Sequence, residues 1–201
     1  MEHVNLPKTK RGERTLKKIC KAAEILFSQK GYYETEINDI TNHADVATGT
    51  FYIYFPNKRS IFLHLMDELG HELRLEIRKA KEALNPGSFV EMERVSCQVF
   101  FAFVQKHYGL FRIVWQAQFV DEESFKYYYE RFSSGYIKEI KTAQESGEIH
   151  DFEPALISFI LIGIHTFVAL KQFMFDETKL NDEIIDQVSR FIANGLSKRV
   201  H

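Results

Sequence analysis

The stretch from Thr35 to Lys58, T-E-I-N-D-I-T-N-H-A-D-V-A-T-G-T-F-Y-I-Y-F-P-N-K, constrains the chain more than any other. Ile37, Ile40 and Ala44 recur at i, i+3 and i+7, one apolar stripe of a short helix that Thr35 is placed to cap with its hydroxyl. That helix is expected to stop at Asp45, because Asp tolerates the left-handed backbone of a sharp turn, with Val46 tucking back into the core. A second short helix starts near Thr48 and ends before Pro56, whose ring disfavours helical geometry at Phe55. Two short helices on a tight turn make a helix-turn-helix, the unit whose second helix enters the DNA major groove while the first crosses the backbone.

Phe51 and Phe55 are four apart and are expected to face inward, which turns Thr48, Gly49, Thr50, Tyr52, Ile53 and Tyr54 outward. Gly49 permits close backbone approach, Thr50 offers a hydroxyl and a methyl to a base edge, and the two tyrosine hydroxyls reach for phosphates. Lys58 follows as a phosphate clamp. Taken alone, Tyr52 and Tyr54 would read as half-buried aromatics supporting a helical corner. The whole run, Thr35 followed from Ile40 by I-x-x-x-A-x-V-x-x-G-T-x-Y-x-Y-F-x-x-K, resembles the DNA-binding signature of the TetR (tetracycline-repressor-like) family. The resemblance implies that Thr35 begins the first helix of the motif and touches the DNA backbone. It places Thr48 and Thr50 at base-reading positions, Ile53 at a variable contact position, and Tyr52, Tyr54 and Lys58 on phosphates. Asp45 stands where the family usually has Gly, and Ala47 where a capping Ser is common, so Thr48 is expected to cap the recognition helix instead.

The formal net charge of -2 does not by itself point to nucleic acid, but its distribution does. Residues 1–60 hold ten Lys or Arg against seven Asp or Glu, a balance of +3, which leaves -5 on the remainder. Lys8, Lys10, Arg11, Arg14, Lys17, Lys18 and Lys21 are opposed only by Glu13 over that span, and Lys8 to Arg11 read as a flexible arm reaching the backbone or minor groove. Ile19, Ala22, Ala23, Leu26 and Phe27 make the stripe of a first helix that Gly31 terminates. Met1 to Leu6 lack the layout of a secretory signal and no later segment reads as a membrane span, so a cytosolic protein is expected. Cys20 and Cys97 lie far apart in apolar helical patterns and read as small buried hydrophobes.

After the motif the pattern stays helical, so the fold class is all-α: a helix-turn-helix domain over residues 1–56 and a larger helical ligand-binding and dimerisation domain over 57–201. Ile61, Leu65, Leu69 and Leu73 line one face of a long helix from Lys58 to Leu84, ended by Asn85-Pro86-Gly87. Phe89 to Lys106, Leu110 to Phe119, Glu122 to Ser146, Pro154 to Phe175 and Asn181 to Leu196 follow, with breaks at Gly109, Gly147 and Asp176 to Thr178. Aromatics crowd the middle of this part. Core packing is the usual fate of such residues, but as a set they suit a flat or elongated apolar ligand, as the family's regulatory domains do. The candidates are Phe103, His107, Phe111, Trp115, Phe119, Tyr128, Phe132 and His165.

The last two helices are apolar around most of their circumference, more than one core needs. Resemblance to the family places a homodimer interface there. Glu68-x-x-His71 has di-iron ligand spacing, but no second pair or further glutamates match it, and no catalytic or phosphate-binding motif is present. No cofactor or metal is implied. The reading is a homodimeric repressor released from operator DNA by a small apolar or aromatic effector. The alternative is a helical ligand-binding or enzymatic bundle whose N-terminal domain serves protein contacts.

Overall fold

The computed structural model describes residues 4–175 and 181–198. Nine α-helices occur among the described residues: α1 Lys10–Lys30, α2 Ile37–His43, α3 Thr48–Tyr54, α4 Lys58–Leu84, α5 Phe89–Lys106, α6 Tyr108–Val120, α7 Glu122–Glu145, α8 Pro154–Leu170 and α9 Asp182–Leu196. A π-helical turn, Lys171–Phe175, continues α8. No strand occurs among the described residues, and an isolated antiparallel bridge joins Ile149 to Ser197. The all-α expectation holds.

Local chemistry accounts for most of the boundaries. The Thr9 hydroxyl accepts from the Gly12 amide and caps α1, which ends at Gly31 with φ of +88°, a backbone that side chains rarely adopt. Asp45 takes φ of +53° at the α2–α3 turn, as its ability to enter the left-handed region predicts. Thr35 does not cap α2. Glu36 and Asp39 do so reciprocally, as a capping box, while the Thr35 hydroxyl donates to the Gly31 carbonyl at 2.7 Å. Gly109 lies inside α6 and the break falls at His107, whereas Gly147 does end a helix, with φ of +78°. The expected break at Asp176 to Thr178 and the opening Met1 to His3 lie outside the described residues.

The chain forms two compact units, one of residues up to Gly70 with His107–Tyr128, the other of His71–Lys106 with the residues from Tyr129 onward. The expected helix-turn-helix domain of residues 1–56 lies wholly in the first, which also takes in the start of α4 and all of α6. Its core is Ile19, Ala23 and Phe27 of α1, Ile40 of α2, Phe51 of α3, Phe55, and Ile61 and Phe62 of α4, each fully covered. Rings of Phe27 and Phe62 meet edge to face at 5.4 Å and Tyr32 meets Phe62 at 5.0 Å. Each buried Phe contributes about 1.5–3 kcal/mol, so this aromatic centre is what orients α2 and α3, two helices too short to be stable alone.

In the second unit α5 packs against α8 and α9, and Phe89, Phe101, Ile140, Ile149 and Leu161 are buried. Pro154–Phe175 is, by length and composition, apolar enough to cross a membrane, contrary to the expectation that no segment would be. Its apolar length is interrupted by buried polar groups that find protein partners. Ser158 shares a hydrogen bond with Ser133 at 2.6 Å, and His165 Nδ1 shares one with the Tyr136 hydroxyl at 3.5 Å. These mark one side of the helix as part of a folded core.

Candidate functional site

The recognition helix α3 is held from both ends and from beneath. Phe51 and Phe55 pack below it with ring centroids 5.6 Å apart. At its start Ala47, not Thr48, occupies the N-cap position and offers no side-chain bond. Thr48 is the first helical residue, and its hydroxyl donates to the Asn38 Oδ1 of α2 at 3.2 Å, tying the two helices together. At its end Asn5 closes the last turn: its amide donates to the Tyr54 carbonyl at 3.0 Å and its side chain to the Ile53 carbonyl at 3.1 Å. Those carbonyls have no partner within a helix, so Asn5 caps α3 from the N-terminal segment. Pro7 packs over Gly12 so closely that a Cβ there would come within 2.7 Å of the Pro7 Cβ. The segment ahead of α1 is therefore docked along the recognition helix rather than a free arm, and Lys10 and Arg11 are already helical.

What α3 leaves bare is Thr48, Gly49, Tyr52 and Ile53, with Tyr52 53% and Ile53 60% exposed, and Thr50 half-buried beside them. A Cβ at Gly49 would meet nothing within 4 Å, so nothing in the chain itself requires glycine there. Three expected contacts are placed differently. Thr35 is fully buried and its hydroxyl is taken, which leaves it no surface for a phosphate. Tyr54 is buried and donates to the Gly12 carbonyl at 3.2 Å. Lys58 donates to the Thr35 carbonyl at 2.7 Å and lies 4.7 Å over the Tyr32 ring, where it fastens α4 to the loop entering α2. The residues of the basic run, Lys8, Lys10, Arg11, Arg14, Lys17, Lys18 and Lys21, are all exposed, at and after the start of α1, where the helix dipole adds to their positive potential.

The eight candidate ligand residues divide between the units. In the first, Phe111 and Trp115 meet edge to face at 6.4 Å on α6, His107 precedes that helix, Phe119 is 75% exposed at its end, and Tyr128 is half-buried. In the second, Phe103 is buried, Phe132 lies 5.0 Å under the Arg74 guanidinium, and His165 is covered. Around His165 the structure assembles a cluster that the sequence did not announce: its Nε2 is 3.2 Å from Glu93 Oε1, its Nδ1 is 3.5 Å from the Tyr136 hydroxyl, and Phe100 and Phe101 flank its ring. A shallow cavity of 670 Å³ lies elsewhere, between α5 and α9, lined by Val90, Arg94, Asp186 and Ser189 among others, and none of the eight reaches it. No cluster suited to a metal ion occurs among the described residues.

Gln116 joins α6 to the helix-turn-helix within the first unit. Its Oε1 accepts from the Tyr32 amide at 2.7 Å and its Nε2 donates to the Phe27 carbonyl at 3.0 Å. Tyr33 donates to the Phe119 carbonyl at 2.8 Å, and Arg59 pairs with Asp121.

A short helix on a left-handed turn, rigid beneath and bare outside, beside a basic helix start, defines a helix-turn-helix DNA-binding protein. The pattern of the bacterial regulatory proteins of the tetR family matches residues 19–65, from mid-α1 into α4. Residues 19–65 thus carry the DNA-binding domain of the TetR family of bacterial regulatory proteins. It is 25% identical over 191 residues to the uncharacterised HTH-type transcriptional regulator YhgD of Bacillus subtilis, covering 90% of this chain and 96% of that protein. The uncharacterised HTH-type regulator YuxN of Bacillus subtilis is 39% identical over 51 residues, which span 25% of this chain and only 18% of YuxN. The crystal structure of the transcriptional regulator FadR from Bacillus subtilis in complex with stearoyl-CoA superposes with a TM-score of 0.78 at 18% identity, over 90% of this chain and 98% of that one.

The open space at the Gly49 Cβ position yields a clean test. Gly49→Ala should hold or raise thermal stability, since Ala is favoured over Gly in a helix by about 0.5–1 kcal/mol. It should nevertheless weaken operator binding at least tenfold where the backbone comes close to DNA. Unchanged affinity in a gel shift would show that no DNA group approaches Gly49.

Proposed function

We propose that the chain acts in the cytoplasm as a homodimeric repressor, reading operator DNA with α3 and leaving it when a small apolar or aromatic effector binds the helical part. The observation that carries this reading is the bare outer face of α3 above a fully covered aromatic core. Thr48, Thr50 and Ile53 are offered to base edges, Gly49 to close approach, and the Tyr52 hydroxyl with Lys10, Arg11 and Arg14 to phosphates. The expected phosphate roles of Thr35, Tyr54 and Lys58 become structural ones: each holds a backbone carbonyl that fixes α3 and the start of α4. The FadR neighbour, caught with stearoyl-CoA, supports an apolar effector. A gel shift against the DNA upstream of the chain's own gene, with and without candidate effectors, tests the reading.

The dimer rests on the second unit. Leu156, Phe159, Ile160 and Phe167 of α8 are 58%, 49%, 46% and 62% exposed, and Phe191 of α9 is 70% exposed. Spaced at i, i+3, i+4 and i+11, the α8 residues form one stripe that water would otherwise cover, and a second copy covers it by two-fold symmetry. Phe159→Asp should then raise the dimer dissociation constant at least 100-fold, because a charge would be buried against a partner's apolar face. Sedimentation at micromolar concentration checks this, and a wild-type chain that sediments as a monomer removes the dimer.

A further inference from the structure

Glu93 is 2% exposed and His165 3%, and α5 and α8 draw the two together inside the core of the second unit. Glu93 Oε2 has no hydrogen-bond partner, and His165 Nε2, though 3.2 Å from Glu93 Oε1, is misaligned for one. Two unsatisfied buried polar atoms in one cluster are costly enough to need an explanation. The groups facing Glu93 are Tyr136, whose hydroxyl lies 3.5 Å from its Oε1, His165, Cys97 one turn along, and the pair Lys81 and Glu139. Lys81 is already spent: its ammonium donates to both Glu139 oxygens at 2.8 and 2.7 Å. Among these groups no cation is left to receive an anionic ligand, whereas a carboxyl oxygen is open. Phe100 and Phe101 stand 5.9 and 6.1 Å from the His165 ring, and aromatic rings in a cluster that holds a buried carboxyl favour positive charge.

We propose that Glu93, walled by Phe100, Phe101, Tyr136 and His165, binds the positively charged head of a lipophilic cation, which makes the effector an apolar amine or quaternary ammonium. The proposal rests on the effector-released repressor described above and names the class of its effector. Phe100 is half-buried, and on this proposal its side chain turns aside to admit the head group. Burial raises the Glu93 carboxyl to about 8, partly opposed by Lys81, and burial lowers His165 to about 4. Before a cation binds at neutral pH, the cluster therefore holds a protonated glutamic acid and a neutral imidazole. A cation that binds there expels the Glu93 proton to the buffer and takes its place beside the carboxylate. The sign follows: below pH 8 affinity should rise about tenfold per pH unit, levelling off above it, with close to one proton released per cation bound.

The probes are benzyltriethylammonium, which carries no titrating proton of its own, its uncharged carbon isostere, and stearoyl-CoA. Calorimetry in two buffers of different ionisation enthalpy, repeated from pH 6 to 9, reads both the slope and the proton. Binding of the cation with the tenfold slope and one released proton, lost in Glu93→Gln while the thermal midpoint is kept, establishes the site. If Glu93→Gln does not fold, the slope and proton count in the wild-type chain decide alone. No binding of the cation, a flat pH profile, or tight binding of stearoyl-CoA through the same residues overturns the proposal. Operator release is read separately. A cation that binds with the stated slope yet leaves the operator complex intact defeats the effector-release reading and not the site. Release by the neutral isostere alone defeats the site and not the reading.

Discussion

Ile53→Glu is expected to lower operator affinity at least 100-fold while the chain stays folded. Ile53 is 60% exposed on the outer face of α3, so the change removes little packing and should cost within about 0.5 kcal/mol of stability. In the groove the same change does two things at once. It deletes an apolar contact of about 1–3 kcal/mol with a base edge, and it brings a carboxylate among phosphates, where like charge costs several kcal/mol more. A 100-fold loss needs about 2.7 kcal/mol, which the two together exceed. Leu84→Glu adds the same charge at a position 64% exposed near the end of α4, and should change affinity by no more than a small, salt-screened factor. Both variants need measuring at one salt concentration, because backbone contacts alone shift affinity steeply with salt. If Ile53→Glu binds operator as the wild type does, α3 is not the reading helix.

The parts of this fold that depend on local backbone chemistry are legible in the residues themselves. Asp45 and Gly31 announce their turns, Phe51 and Phe55 announce an inward face, and the periodicity of α4, α5 and α9 gives their extents within a residue or two. What stays hidden are the partners of polar ends, which are set by chain brought from far away. Nothing within α3 tells that the Tyr54 hydroxyl will meet the Gly12 carbonyl, 42 residues back, or that Lys58 will be held by the Thr35 carbonyl, 23 residues back. A tyrosine or lysine at a family's phosphate position reads the same whether it faces DNA or the chain. Gly109 misleads for the opposite reason, since a glycine inside a helix is tolerated when the neighbouring turns are good helix formers. Glu93 is invisible because a glutamate every few residues on an amphipathic helix is the commonest of patterns. Its burial among Lys81 of α4, Tyr136 of α7 and His165 of α8 comes from chain brought in from elsewhere.

Gln116→Ala is expected to leave operator binding within about threefold of wild type while cutting the effector's ability to release DNA by about tenfold. For an effector to lower operator affinity 100-fold, about 2.7 kcal/mol of coupling must pass from its site to α3. Two routes enter the first unit. One is α4, which runs through both units; the other is the junction of α5 with α6 at His107, beyond which Gln116 fastens α6 at once to the end of α1 and to the loop that leads to α2. The groups it satisfies, the Phe27 carbonyl and the Tyr32 amide, sit at the corner where α1 hands over to the helix-turn-helix, so a displaced α6 pulls on that corner. Losing both bonds removes about 1–1.5 kcal/mol of connection, which is a factor of about ten in coupling, with a stability cost of similar size. Tyr33→Phe, which frees the Phe119 carbonyl at the other end of α6, should reduce the response further in the double variant and by less alone. The single Trp115 lies next to Gln116 on α6, so its fluorescence follows a displacement of α6, while calorimetry reads effector binding with and without operator present. By reciprocity operator must weaken effector binding 100-fold in the wild type and only about tenfold in Gln116→Ala. A Gln116→Ala chain that still shows the full 100-fold effect in both directions would assign the signal to α4 alone.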